Sequence, residues 1–343
     1  MRILVDILHP KQAHFFRPLI SRWQRRGDSV QIVTRDKDIT HDLLDSFGLS
    51  YVCLSKQRRS IGLVFELIQR WVKMIRWIRR FRPDVVLSVS GISTSLPARL
   101  LRVPNIAFTD TETARLSNKI AFRFADRVLS PEWFLDDFGR RHHRYRGFHE
   151  WSYLNPDEFE PDPQVVSAVG IDPTQPYAFV RMVRWDATHD LGEHGLAEGE
   201  AIHLVEQLAK RMRVVLSSEV QPPPALEQYV VEIAVDRVHH ILALADLIVG
   251  ESPSMATEAA LLGVPSVLIS SWAGRCGNMQ VLQDKFGLMQ VFELGSEAIR
   301  ATLELVDDPK RPERTARRDE LVRGLEPIPE LVDRHISELV VSD

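Results

Sequence analysis

Cysteine is scarce in this chain of 343 residues, with Cys53 and Cys276 the only two and far apart. That argues against a disulfide framework and a thiolate metal centre, and it suits a reducing cytoplasm. A charge excess of one sign is lacking as well. The 43 Lys and Arg residues stand against 47 Asp and Glu, a net charge of −4, so the chain as a whole is not built to bind nucleic acid and any cationic patch must be local. No apolar run reaches bilayer-spanning length. Met1 to Asp6 leads directly into a strand pattern, not into a cationic leader with an apolar plug, so neither a transmembrane helix nor a secretory signal is expected. Short repeats and low-complexity tracts are missing too. The loop after the first strand, His9-Pro10-Lys11-Gln12-Ala13-His14, lacks the G-x-G-x-x-G fingerprint, which disfavours a dinucleotide site there.

What is present is an alternation of strand and helix signals from the first residue. Strands are expected at Ile3 to Ile7, Val30 to Val33, Tyr51 to Leu54, Val85 to Val89, Asn105 to Phe108 and Arg127 to Leu129. Helices are expected from about His14 to Arg26, Asp42 to Phe47, Ile61 to Phe81 and Asn118 to Ala125. Such alternation implies a parallel sheet covered on both faces. Proline and acidic residues cluster between Trp151 and Pro176, and residues 156–176 read as a linker. A second series follows. Its strands are expected at Tyr177 to Val183, Arg213 to Ser217, Leu247 to Val249, Ser266 to Ile269 and Leu288 to Val291, with helices near Glu198 to Arg211, His239 to Ala245, Ser254 to Leu262 and Met279 to Phe286. The expected organisation is a first domain over 1–155, a second over 177–308, and a polar, helical tail over 309–343. Two doubly wound domains facing each other leave a cleft at the carboxyl ends of their strands, where ligands of such sheets bind.

The most informative segment is Ala245 to Ile269, ADLIVGESPSMATEAALLGVPSVLI. It reads as strand, tight turn, small-residue helix and second strand, with Gly263-Val264-Pro265 as the stop. Ser252 lies in the turn and Pro253 suits the first helical turn. The N–H groups of Ser254 and Met255, at the positive end of the helix dipole, suit a phosphate. Glu258, one turn inward on the same face as Ser254, can accept both hydroxyls of a ribose whose phosphates rest on the helix end. An ordinary β-α-β unit with a solvated Glu258 is an equal alternative.

Other strand-end loops carry further candidates. His9, Lys11 and His14 can supply a general base and an anion contact, although a histidine there can also simply cap the helix. Asp110 can orient an acceptor hydroxyl or take its proton, while Glu112 suits a helix cap. The loop from Ser88 to Ser95 is small and polar enough for a ligand to approach. In the second domain Arg181 can neutralise a diphosphate. Trp185, His189 and their polar neighbours Arg184, Asp186, Thr188, Asp190, Glu193 and His194 follow the same strand, with ordinary loop polarity preferred to a metal site. Glu219 ends another strand and can line a ribose, and Asn278 and Gln280 open a later helix. His142-His143 and His239-His240 read as surface residues.

One helix is unusual. Over residues 56–82 Lys56, Arg58, Arg59, Arg70, Lys73, Arg76, Arg79, Arg80 and Arg82 accompany a dense apolar set, and Glu66 is the lone acid. Such a helix can lie peripherally on an anionic membrane, which would put the protein at the inner membrane face. The preferred alternative is a crossover helix with its apolar stripe on the sheet and its cationic face in water.

DILHPKQAHFF, FTDTETARLSNK, VRWDATHDLG and the segment from Ala245 to Ile269 together resemble the superfamily of GT-B glycosyltransferases and UDP-N-acetylglucosamine 2-epimerases. Within it the likeness is closest to a prokaryotic family catalogued as a domain of unknown function. The last segment is similar to the donor-binding helix of the transferase that adds N-acetylglucosamine to the peptidoglycan lipid precursor. The resemblance implies an α/β, GT-B-like fold of two Rossmann-like domains facing across a cleft, and a tail that packs back on the first. It also implies a ribose-binding Glu258, a phosphate-binding helix end at Ser254 and Met255, and a reaction-centre histidine at His14. HPKQAH departs from the superfamily's glycine-rich first loop. The expected ligand is a UDP-sugar, and the leading reaction is metal-independent, cofactor-free glycosyl transfer to an unknown acceptor. His14 or Asp110 would then be the base, with Arg181 and the Ser254 helix end on the departing diphosphate. Alternatives are a non-hydrolysing 2-epimerase-like enzyme and a non-catalytic scaffold of the same fold.

Overall fold

A computed structural model of the chain describes residues 1–57, 62–183, 196–271, 274–307 and 311–340. They form two units, Met1–Glu158 with Leu325–Asp343, and Phe159–Gly324. The first contains β1 (Arg2–Ile7), α1 (Pro10–Arg25), β2 (Ser29–Asp36), α2 (Thr40–Ser46), β3 (Tyr51–Lys56), α3 (Gly62–Phe81), β4 (Val85–Val89), α4 (Ser95–Leu100), β5 (Asn105–Phe108), α5 (Arg115–Phe124), β6 (Arg127–Pro131), β7 (His142–Tyr145) and α6 (Trp151–Leu154). The second contains α7 (Pro163–Ala168), β8 (Tyr177–Met182), α8 (Glu198–Ala209), β9 (Arg213–Ser218), α9 (Val238–Ala243), β10 (Leu247–Gly250), α10 (Pro253–Leu262), β11 (Ser266–Ile269), α11 (Gly277–Gln280), β12 (Met289–Phe292), α12 (Gly295–Asp307) and α13 (Arg311–Arg323). The last helix, α14 (Ile328–Val340), belongs to the first unit.

Among the described residues the first unit holds one sheet in the order β3-β2-β1-β4-β5-β6-β7, and the second holds one in the order β12-β11-β10-β8-β9. All pairings are parallel. Strand order reverses between β1 and β4 in one sheet and between β8 and β10 in the other, and those switch points are where doubly wound sheets hold ligands. Period-two alternation builds both layers of the second unit. Ala178, Val180 and Met182 of β8 pack with α8 and α12, whereas Tyr177 and Phe179 face the helices α7, α9 and α10.

Several elements depart from the sequence expectation. Helix α1 begins at Pro10, with His9 as its cap, because proline fits a first helical turn; His14 therefore lies inside a helix instead of a loop. The Ser88 to Ser95 loop folds down instead of opening to a ligand: Ser88, Ser93, Thr94 and Ser95 are buried, and the Ser88 and Thr94 hydroxyls bond each other at 2.7 Å. The stretch expected as a linker contains α7, capped by Asp162 ahead of Pro163. His142 and His143 are half-buried in β7, where His142 Nε2 bonds the Ser130 hydroxyl at 2.7 Å.

Helix α3 differs most from the expected apolar stripe. Its inward row is Glu66, Arg70, Met74 and Ile78, polar for its first half. Arg35 grips Glu66 with two bonds of 2.7 and 2.9 Å, and Ser55 donates to the same carboxylate at 2.9 Å. Arg70 pairs with the buried Asp6 and donates to the Thr34 carbonyl at 2.8 Å. Helix α14 packs on α1, where Asp333 accepts from Trp23 Nε1 at 2.8 Å and from Arg26 at 3.0 Å.

Candidate functional site

In the second unit the turn after β10 is built around a close approach. Gly250 pairs in register with Arg181 of β8, and a Cβ added there would sit 2.3 Å from the Arg181 carbonyl oxygen. Only glycine lets the strands meet at that point. Glu251 follows, buried. Its own N–H donates to the Arg181 carbonyl at 3.0 Å, while its carboxylate accepts from the N–H groups of Val183 (2.9 Å) and Leu196 (2.7 Å). One carboxylate thus ties β8 to the residue that precedes α8.

Ser252 caps α10, accepting from Met255 N–H at 3.4 Å, and the helical ladder begins with Ala256 N–H bonding the Ser252 carbonyl at 3.0 Å. Pro253 has no N–H. The Ser254 and Met255 N–H groups therefore stand at the helix start, where the dipole is positive and no acidic side chain occupies the first turn. Gly263 ends the helix in the left-handed conformation at φ 84°, as the Gly-Val-Pro stop predicts.

Glu258 lies one turn further in and is only 5% exposed, which overturns its alternative reading as a solvated helix residue. His239 of α9 meets it, Nε2 to Oε1 at 3.2 Å, and is itself buried, so His239 is not a surface residue. His240 accepts the Asp162 N–H at 3.0 Å. A carboxylate can be held at this depth because a histidine faces it.

Arg181, at the carboxyl end of β8, donates to the Ser217 hydroxyl at 2.7 Å and pairs with Glu219. The structure thus brings two expected candidates together as an ion pair. Asn278 is buried in α11, with no partner for its Oδ1 among the described residues, and Gln280 donates to the Gly274 carbonyl at 2.6 Å. Trp185, His189 and the rest of 184–195 lie outside the described residues.

In the first unit the carboxyl ends of β1 and β5 carry a buried charge cluster. Lys11 Nζ lies 2.6 Å from Asp110 and 2.7 Å from Glu150, and His149 Nδ1 lies 3.2 Å from the same Asp110 oxygen. Thr111 donates to the other Asp110 oxygen at 3.0 Å. Burial by itself would raise the Asp110 pKa, but His149 and Lys11 outweigh it and hold the carboxyl well below its usual range. Glu150 goes the other way: burial pushes it up, and Lys11 offsets this only in part. Burial also works against the charge on Lys11, yet Asp110 and Glu150 together raise its pKa. Among the described residues Glu150 Oε2, His149 Nε2 and the Tyr145 hydroxyl are buried without hydrogen-bond partners.

The expected candidates of this unit divide. Lys11 and Asp110 are in the cluster. His14 packs between the rings of Phe47 (5.4 Å) and Tyr153 (5.3 Å), and His9 accepts the Lys11 N–H at 3.3 Å, the capping alternative. Glu112 does not cap α5; it accepts the Leu135 N–H at 3.2 Å, and the residue at the cap is Ala114. His149 and Glu150 were not expected. They follow β7, a strand of polar residues that hydrophobic patterning does not reveal. Among the described residues no group of three or more His, Cys, Asp or Glu side chains is arranged to hold a metal ion.

The chain is similar to several known proteins. An uncharacterized protein of Methanocaldococcus jannaschii is 22% identical over 280 residues, 77% of this chain and 80% of that one. The UDP-N-acetylglucosamine--N-acetylmuramyl-(pentapeptide) pyrophosphoryl-undecaprenol N-acetylglucosamine transferase of Latilactobacillus sakei is 31% identical over 137 residues, 35% of this chain and 38% of that enzyme. Among solved structures, UDP-GlcNAc 2-epimerase from Neisseria meningitidis, bound to UDP-GlcNAc, superposes with a TM-score of 0.73 at 14% identity, covering 98% of this chain and 100% of the epimerase. The fold is therefore the GT-B-like, two-sheet α/β fold of that epimerase. The profile of one family, described as protein of unknown function (DUF354), matches residues 1–325, and the chain belongs to that family.

Proposed function

We propose that the chain binds a uridine diphosphate sugar on its second unit and transfers the sugar to an acceptor. The observation that carries the reading is Glu258, a buried carboxylate one turn inside a capped helix start at the strand-order switch of its sheet. The Ser254 N–H, joined by the Met255 N–H once the diphosphate takes the place of the Ser252 hydroxyl that now accepts it at 3.4 Å, receives the diphosphate, and Glu258 accepts the ribose hydroxyls. Arg181 adds positive charge once the diphosphate displaces Glu219 from it, so the departing diphosphate is stabilised by a helix end and a guanidinium. The UDP-sugar class rests on the names of the epimerase and the transferase to which the chain is similar.

Proton transfer falls to the cluster of the first unit. Asp110 is too acidic to be an efficient base, because Lys11 and His149 hold it ionised. It serves by fixing His149 through Nδ1, which leaves Nε2 as the ring atom that takes the acceptor proton. His149 is favoured over His14 because its ring meets the Asp110 carboxylate at 3.2 Å; both rings pack among aromatics, His14 against Phe47 and Tyr153 and His149 against Phe15.

Titration calorimetry with uridine, guanosine, adenosine and thymidine diphosphates tests the donor site. UDP is expected to bind preferentially, and Glu258→Ala to weaken it by about a hundred-fold, the loss of two hydrogen bonds to a charged group. Equal UDP binding by parent and variant would overturn the assignment.

A second reading, 2-epimerisation without an acceptor, is favoured by one observation. Asp110 and Glu150 share Lys11 but are pushed in opposite directions, so Glu150, not Asp110, is the carboxyl of the pair suited to take up a proton and return it. Deuterium incorporated from solvent at carbon 2 of the sugar would select it; transfer leaves that position protonated.

A further inference from the structure

Helix α3 presents an outward face unlike that of an ordinary crossover helix. Opposite its buried row of Glu66, Arg70, Met74 and Ile78, Val64 is 64% exposed, Phe65 59%, Ile68 51% and Val72 44%. These four fall on one side of the helix at positions three to four apart. Further along the same side stand the exposed Arg76, Arg79 and Arg80. The face is therefore apolar over its first half and cationic at its end, about 25 Å in all at 1.5 Å per residue. No carboxylate interrupts it, since Glu66 points inward to Arg35 and Ser55.

The buried row explains why the apolar residues stay outside. Rotating α3 to bury Ile68 and Val72 would strip Glu66 of Arg35 and Arg70 of Asp6, leaving buried charges unpaired. The rotation of the helix is set by these ion pairs, and the exposed stripe is held out by them.

We propose that this face of α3 docks on an anionic lipid bilayer, the apolar half entering the headgroup boundary and Arg76, Arg79 and Arg80 meeting lipid phosphates. Charge complementarity selects the occupant. The chain carries a net −4, yet the exposed charges of this helix face are all positive, so an anionic surface attracts this face in particular. Among the described residues no helix is long and apolar enough to cross a membrane, so α3 lies in the interface plane.

Co-sedimentation with vesicles tests the proposal, using equimolar phosphatidylcholine and phosphatidylserine against phosphatidylcholine alone, at low and at raised salt. The parent is expected to sediment with the anionic vesicles and to be released by salt. The triple variant Arg76→Gln, Arg79→Gln, Arg80→Gln should partition about a hundred-fold less, from roughly a five-fold effect per arginine. The double variant Ile68→Ser, Val72→Ser should lose at least about ten-fold. Every substituted side chain is exposed, so parent-like circular dichroism and melting are expected and separate lost docking from lost folding. No sedimentation of the parent with anionic vesicles at low salt overturns the proposal, as does equal binding by either variant. A dimer in sedimentation velocity that the serine variant dissolves, without vesicle binding, would assign the face to a second copy of the chain and equally refute lipid docking.

Discussion

Replacing Lys11 by methionine removes the single cation that two buried carboxylates share. The methionine fills a similar volume, so the change is chiefly one of charge. Asp110 and Glu150 have side chains only 7% and 2% exposed and lie 2.6 and 2.7 Å from the ammonium. Removing one partner from a buried pair costs about 3–5 kcal/mol, because an uncompensated charge is left behind. His149 still faces Asp110 at 3.2 Å, which places the expected loss toward the lower end for that residue and leaves Glu150 as the chief source of destabilisation. A fall in melting temperature of about 10 °C is expected for a unit of this size. Two further measurements isolate the cause. Lys11→Met with Glu150→Gln should recover more than half of the loss, since one of the two stranded charges is gone. The loss should also shrink in acid. The pKa of Glu150 is raised in the folded state, and more so without Lys11, so the folded variant takes up a proton before the unfolded chain does; the penalty is complete above that raised value and fades as pH falls through it toward the ordinary glutamate range. Urea unfolding of parent, single and double variants at pH 7 and pH 5 reads all three effects. A single variant within about 1 kcal/mol of the parent at pH 7 would refute the picture of two buried carboxylates depending on one lysine.

Gly250→Ala should cost more than about 3 kcal/mol, read as a lowered melting temperature, because its Cβ would meet the Arg181 backbone at 2.3 Å and only separation of β8 from β10 can relieve it. A melting temperature within a degree or two of the parent would show that the strands yield easily. His239→Ala should weaken UDP binding about ten-fold by calorimetry, since the histidine aims Glu258 from 3.2 Å; unchanged affinity would make His239 structural only. Burial, followed by the nearby Arg127 and His143, pushes His335 down to about 4. The folded state thus resists protonation, and stability that is level above the ordinary histidine value of 6.5 declines as pH falls from there toward 4. His335→Leu should flatten that decline in urea midpoints measured between pH 7 and pH 5, and an unchanged slope would exclude this residue as its source.

Much of the fold was legible because buried parallel strands are nearly continuous apolar runs. Val85–Val89, Asn105–Phe108 and Ser266–Ile269 fall where patterning puts them. Elements that hydrophobicity does not mark were missed. Strand β7, His-His-Arg-Tyr, is an edge strand of polar residues; α4 begins Ser-Leu-Pro; α12 opens Gly-Ser-Glu ahead of its buried face of Ala298, Ile299, Ala301 and Leu305. Helix α3 was legible as a helix but not in its orientation. Its most hydrophobic-looking positions face outward because Arg35 and Asp6, distant in sequence, claim Glu66 and Arg70 for the interior.

The same physics divides the candidate sites. At α10 every group proposed to hold a phosphate and a ribose lies within seven residues, Ser252 to Glu258, and helix geometry fixes their mutual placement, so sequence order is enough to bring them together. What the order cannot supply is the environment. Whether Glu258 is a solvated or a buried carboxylate depends on His239, nineteen positions earlier on another helix. The first unit is harder still, because Lys11, Asp110, His149 and Glu150 converge from three separate stretches of the chain, a helix start and two loops. Asp110 reads in sequence as a base, an orienting group or a helix cap, and in structure it is an ion-paired carboxylate. The cation and the histidine that make it visible as part of a site are the groups that keep it ionised, and the proposed base therefore shifts to His149, the ring that Asp110 holds.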